Sequence, residues 1–152
     1  MKIHNFAIIG IVTALLISLT SLCSAYTLPD ENRWIKIVDS EQYDNWFDLE
    51  TVKTYRANSF FCKNHRYFES WFFIGNNLTG RSMKRLSRYD LDCMTEQILI
   101  THIYDEQGNL LGTVDEIQPI QHIVPNSNSE YVIKTLQIYY GLLSQYHQAE
   151  NI

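Results

Sequence analysis

The chain has 152 residues, with 12 Lys and Arg against 17 Asp and Glu, five His and three Cys. That length admits one domain, or one domain behind a targeting segment, and is too short for a TIM barrel or a two-domain Rossmann enzyme. A net charge of −5 argues against a generic nucleic-acid binder, a hydrophobic content of 45% against a disordered chain, and an aromatic content of 13% favours sheet over loop.

The N-terminus reads as an address. A basic start with Lys2 precedes an apolar run from Phe6 to Leu19, and small residues end at Ala25. This is the pattern of a secretory signal peptide, with cleavage expected after Ala25 and Tyr26 first in the mature chain. An uncleaved anchor helix is the alternative, although a span needs about 20 apolar residues. Cys23 follows Leu22, which is not the small residue a lipoprotein cut requires, so Cys23 is assigned to the removed peptide. Residues 26–152 then form a single domain outside the cytoplasm, in the periplasm or on the outer cell surface.

Two cysteines remain in that domain, Cys62 and Cys93. An even count in an exported chain reads as a disulfide, with two buried thiols as the alternative.

Along the mature chain, Tyr26 to Asn32 is an extended leader. Arg33 to Val38 is β-rich and predicts a first strand, and Asn45 to Asp48 a second. Leu49 to Asn58 is mixed and polar, and predicts a helical turn and a loop. Ser59 to Ile74 is the most aromatic stretch, apolar on both faces like a central strand, with Lys63-Asn64-His65 able to split it into a hairpin. Gly75 to Gly80 is a loop. Arg81 to Cys93 alternates, with one face mostly polar, as a half-wet antiparallel strand does. Glu96 to Tyr104 and Leu110 to Val114 follow as strands around a hairpin loop at Asp105 to Asn109. Asp115 to Pro125 is irregular. Ser127 with Glu130 matches a capping box, and Val132, Leu136, Tyr139, Tyr140 and Leu143 recur at helical spacing, which predicts one helix over about Asn128 to Tyr146. The expected fold is α+β: an antiparallel meander sheet of five to six strands with one C-terminal helix packed on a sheet face.

The order of these features resembles the bacterial surface-adhesin protein E-like family. The residues that carry the resemblance are Trp34, Trp46-Phe47-Asp48 with Thr51-Val52, Trp71, Leu91-Asp92-Cys93, Tyr104 with Gly108, and Ile123-Val124-Pro125-Asn126-Ser127 with Glu130. Together they cover most of Trp34 to Tyr140. Members of that family usually tie the final helix to the strand end at the second of these cysteines. This chain has no cysteine in the helix, where Leu136 lies near the family position, and Cys62 is available to Cys93 instead. The resemblance implies an exported, non-enzymatic envelope protein that binds host or envelope macromolecules, such as a host extracellular-matrix or serum protein. A periplasmic structural or assembly protein without a host ligand is the alternative, and a small exported enzyme the second alternative. A homodimer stays open; no nucleic-acid partner is expected, and the membrane is met only during export.

Candidate chemistry is sparse. Cys62-Lys63-Asn64-His65 is half of a zinc site, set against the pairing of its cysteine with Cys93. No nucleophile elbow, zincin helix or phosphate loop occurs, and no cofactor or metal is expected. Asp90 and Asp92 would share a strand face, about 7 Å apart by strand rise, beside Lys84 and Arg88. Arg81, Lys84, Arg85 and Arg88 are the one basic cluster, suited to an anionic partner or to a solubilising strand face at a guarded edge. Tyr131, Tyr139, Tyr140 and Tyr146 are either surplus aromatics exposed for an interface or ordinary core.

Overall fold

The structure is a computed structural model that describes residue 26, residues 29–58 and residues 63–149, with helix side chains as far as residue 143. The expected signal peptide, Cys62 and the Tyr146 side chain lie outside the described residues.

The strands are β1 (Trp34–Asp39), β2 (Tyr43–Asp48), β3 (Lys53–Ala57), β4 (His65–Asn76), β5 (Ser82–Asp90), β6 (Thr95–Tyr104), β7 (Leu110–Val114) and β8 (Gln121–His122). A 3-10 turn at Leu49–Thr51 joins β2 to β3, and one helix, α1 (Asn128–Ala149), closes the fold. All eight strands form one antiparallel sheet, paired in the order β1-β2-β4-β5-β6-β7. The α+β architecture is as expected, but the sheet has eight strands instead of five or six. Two short segments read as loop are strands, because each lies along an unused stretch of a long neighbour. β3 pairs with the first half of β4, while β2 pairs with the second half. β8 pairs with the start of β6, while β7 pairs with its end.

The long strand β4 has one apolar face toward the helix, where Phe68 and Phe72 are fully buried. On its neighbours, Phe47 and Tyr89 extend the same face, and Ile37, Val38 and Leu91 complete its border. The helix lays Val132, Ile133, Leu136 and Tyr140 onto this surface. Burial of each such side chain stabilises by about 1.5–3 kcal/mol, which is what holds a helix without any covalent clamp among its described residues. Its first turn is fixed by the capping box read from the sequence. The Glu130 amide donates to Ser127 Oγ (3.2 Å), and Glu130 Oε2 accepts from the Asn126 amide (2.6 Å).

The opposite face of the sheet carries no helix among the described residues. Trp34, Trp46 and Phe73 pack there, with Phe73 edge to face against both tryptophans, and Tyr26 from the leader covers Trp46 and Phe73. The Tyr26 hydroxyl donates to Asp44 Oδ2 (2.6 Å), so the leader is pinned by its ring contacts with Trp46 and Phe73 and by one polar contact. Among the described residues no helix is long and apolar enough to cross a membrane.

Candidate functional site

Two places gather chemistry. The first is the sheet end where β4 begins and β5 finishes. Asn64, in a left-handed conformation (φ 64°), turns the chain into His65, and residues 91–94 turn it out of Asp90. Asp90 organises this turn: its Oδ1 accepts the amides of Asp92 (3.0 Å) and Cys93 (2.9 Å), and its Oδ2 lies 2.7 Å from His65 Nδ1. Burial alone would raise the Asp90 carboxyl, but the His65 ring and the two amides outweigh it and hold it below the usual carboxylate range. Tyr67 on the same face is pushed up, by burial first and by Asp90 second. Cys93 Sγ lies 3.5 Å from the same His65 Nδ1.

His65, Asp90 and Cys93 thus offer three ligand-type atoms within 4.8 Å of one another. Two donors on one tetrahedral zinc stand about 3.3–3.5 Å apart, given bonds of about 2.0–2.3 Å. The sulfur–nitrogen spacing meets that value, whereas the nitrogen–carboxylate spacing is that of a hydrogen bond. A Cys-His-Asp relay needs the acid and the sulfur on different ring nitrogens, and here both address Nδ1. The cluster is arranged as a locked turn that presents an exposed Cys93. Asp92 leaves the strand and pairs with Arg66 (2.6 Å), so the two carboxylates expected on one strand face are both engaged, by different partners.

The second place is the open face of the sheet. The four basic residues expected to act together do not form one patch, since alternate residues of β5 point to opposite faces. Arg85 lies on the helix side and pairs with Glu96 (3.4 Å). Arg88 lies on the open side and pairs with Glu69 (3.0 Å). Arg81 is exposed just before β5, which is an interior strand and not an edge. Lys84 makes no ion pair among the described residues. Its ammonium sits 5.8 Å from the ring centroids of both Trp34 and Tyr104.

A cleft of about 350 Å³ opens beside Lys84, walled by Trp34, Phe73 and Tyr104 and bounded by Pro29, Ser82 and Gly108. The register brings these groups together: Lys84 faces Phe73 across β4 and His102 across β6. Asp30 also lines the cleft, but its Oδ1 is turned into its own loop, accepting from the amide (3.0 Å) and side chain (3.2 Å) of Asn32. The cleft is an aromatic slot that holds one cation, Lys84, which makes no ion pair among the described residues, and one carboxylate, Asp30, at its rim.

The tyrosines expected at the surface divide as well. Tyr131 is exposed, Tyr139 is half-buried against Phe47 (ring centroids 5.0 Å apart), and Tyr140 is buried in the core. For Tyr139 and Tyr140 the core alternative is the one the fold adopts. The sequence reading missed Trp34 and Tyr104 as a pair. Each is an isolated aromatic in the chain, and only the alternation of their strands placed both on the non-helix face.

No family model matches the chain, and neither a curated protein nor a solved structure does.

Proposed function

We propose that the chain is an exported bacterial envelope protein that binds an acidic macromolecule without catalysing a reaction, and that the Trp34–Lys84–Tyr104 cleft is its seat. The ligand is a segment of acidic glycan: a sugar face stacks on Tyr104 at the mouth of the cleft, Trp34 forms its buried wall, and a carboxylate or sulfate meets Lys84. The observation that carries this reading is the Lys84 ammonium, held between two aromatic faces beside an open cleft and without an ion pair among the described residues. Aromatic faces with a convergent charge are the usual makeup of a small recognition site. The acidic net charge disfavours diffuse polyanion binding, so affinity comes from stacking and one charge contact. The single cation also predicts a shallow salt dependence, in contrast to a basic patch.

Titration with a heparin hexasaccharide by calorimetry tests the reading. Wild type binds, and Lys84→Gln and Tyr104→Ala each weaken binding at least tenfold, while Arg81→Gln and Arg88→Gln change it less than twofold. No binding by wild type, or equal loss in all four variants, overturns it. The periplasmic assembly reading is separated by protease treatment of intact cells, which degrades a surface protein and spares a periplasmic one.

We infer in addition that Cys93 pairs with Cys62. The support is positional: Cys62 is three residues before His65, whose ring lies against the Cys93 sulfur, and export places both thiols in an oxidising compartment.

A further inference from the structure

We propose that the cavity between the first turn of α1 and the sheet binds a small amphiphilic carboxylate, with Arg85 holding the acid group and the sheet side chains its apolar tail. The register builds this cavity. Val38, Asn45, Ile74 and Met83 lie side by side across β1, β2, β4 and β5. Asn45 and Ile74 are each two residues along their strands from Phe47 and Phe72, so the row shares the helix side of the sheet. α1 starts beside this row, and its later residues cover the core, as where Tyr139 meets Phe47. Only Asn128, Ser129 and Val132 of the helix border the row, and a cavity of about 320 Å³ remains.

Arg85 is the one charged residue that lines this cavity among those described. A guanidinium carries five N–H donors in a planar fork. Here Nη2 makes one ion pair, with Glu96 Oε1 at 3.4 Å, and that oxygen already accepts from Ser87 and Tyr89. Nε is buried without a hydrogen-bond partner among the described residues. The side chain is only 20% exposed, so water serves these donors poorly. A carboxylate takes two parallel bonds from a guanidinium and matches what is left over. Asn45 Oδ1 is buried without a partner as well, and a half-turn of that amide brings its NH2 donors to the same side. The opening residues of α1 add the positive end of the helix dipole.

The anion belongs on the α1 side of Arg85. Arg85 and Met83 also line a neighbouring cleft of about 340 Å³ toward β7, but Glu116 borders that one. The rest of the α1-side wall is apolar, with Val38, Ile74, Met83 and Val132 available to an aliphatic tail. Small-molecule pockets run from about 300 to 1,000 Å³ and combine such walls with a few convergent polar groups. A cavity at the lower end of that range takes a short chain, as in octanoate. The site lies on the opposite face of the sheet from the Lys84 cleft and stands apart from the glycan reading.

Calorimetric titration of the purified protein with octanoate is the test. Wild type is expected to bind one equivalent with a dissociation constant below about 1 mM. Octylammonium, with the same tail and the opposite charge, should bind at least tenfold more weakly. Arg85→Met should weaken octanoate at least tenfold. So should Arg85→Met with Glu96→Leu, which leaves no unpaired acid and serves if the single variant fails to fold. Ile74→Trp fills the cavity and should abolish binding with Arg85 in place, whereas Val114→Trp, in the neighbouring cleft, should leave it within twofold. No octanoate binding by wild type overturns the proposal. So does equal binding of octylammonium, retention of octanoate by the Arg85 or Ile74 variants, or its loss in Val114→Trp.

Discussion

A Cβ on Gly75 would fall inside the ring of Tyr26. The leader is thus docked at a position where the sheet has no side chain, and the glycine is required by close approach. Tyr26 covers Trp46 and Phe73, at centroid distances of 5.8 and 5.6 Å, and so builds the wall of the open face. Gly75→Ala is expected to expel the ring and destabilise by about 1–3 kcal/mol, the usual cost of overpacking. In a Tyr26→Ala background the same alanine should cost much less, because nothing occupies its space. Urea midpoints of the four proteins check this coupling; equal costs in both backgrounds would show that the ring does not sit on Gly75.

The helix side of the sheet holds a buried polar network around Glu96. Glu96 accepts from Ser87 Oγ (2.8 Å) and the Tyr89 hydroxyl (2.9 Å), and pairs with Arg85. Removing the acid leaves a mostly buried guanidinium whose Nε already has no partner. Breaking a buried pair from one side costs about 3–5 kcal/mol, and Arg85 keeps 20% of its side-chain exposure, so Glu96→Leu should cost about 2–4 kcal/mol. Arg85→Met added to Glu96→Leu should recover part of that loss, since no unpaired charge remains. Thermal unfolding of single and double variants gives the answer, and a double variant no more stable than Glu96→Leu would refute the pairing.

The strands carrying clear alternation or an apolar core were legible in the sequence, and so was α1 with its capping box. β3 was not, because Lys-Thr-Tyr-Arg-Ala has no apolar pattern. It is a strand through its partners, with Lys53 opposite Glu69 and Tyr55 stacked on Tyr67 at 5.3 Å. Lys84 was legible as one of four basic residues but not as the one set between two aromatic rings. The acids that occupy Arg85 and Arg88 come from β6 and β4, and their placement follows from register, which a β5 segment does not encode alone. The convergence of His65, Asp90 and Cys93 was half visible as Cys62-x-x-His65. The contribution of Asp90 depends on the turn that follows it.

Non-reducing mass spectrometry of the exported protein should show a mass lower by two hydrogens and no thiol open to alkylation. A bridge from Cys62 to Cys93 closes a loop of about 32 residues and stabilises by roughly 3–4 kcal/mol on the chain-entropy model. Cys93→Ser and Cys62→Ser should then lower stability equally, and the double variant no further. A modifiable Cys93 in the exported protein would end the disulfide reading and return the sulfur to His65.

Acid stability should depend on Asp90. Its carboxyl is held below the usual range in the fold, despite burial, by the His65 ring and the amides of Cys93 and Asp92. A lowered folded value means that the unfolded chain binds the proton more readily. The contribution is therefore complete above the unfolded value of about 3.9 and is lost as pH falls through the lower folded one. Asp92, held down first by Arg66, acts in the same window and adds to the slope. Asp90→Asn removes one titrating group, so its stability should fall less steeply than wild type below about pH 4. At neutral pH it should be less stable by about 1–3 kcal/mol, because an amide nitrogen or oxygen serves the His65 ring and the two amides less well than a carboxylate. Urea unfolding at half-unit steps from pH 2 to 7 measures both limbs. Parallel curves for wild type and Asp90→Asn across the acid limb would show that Asp90 is not held by His65 and the turn.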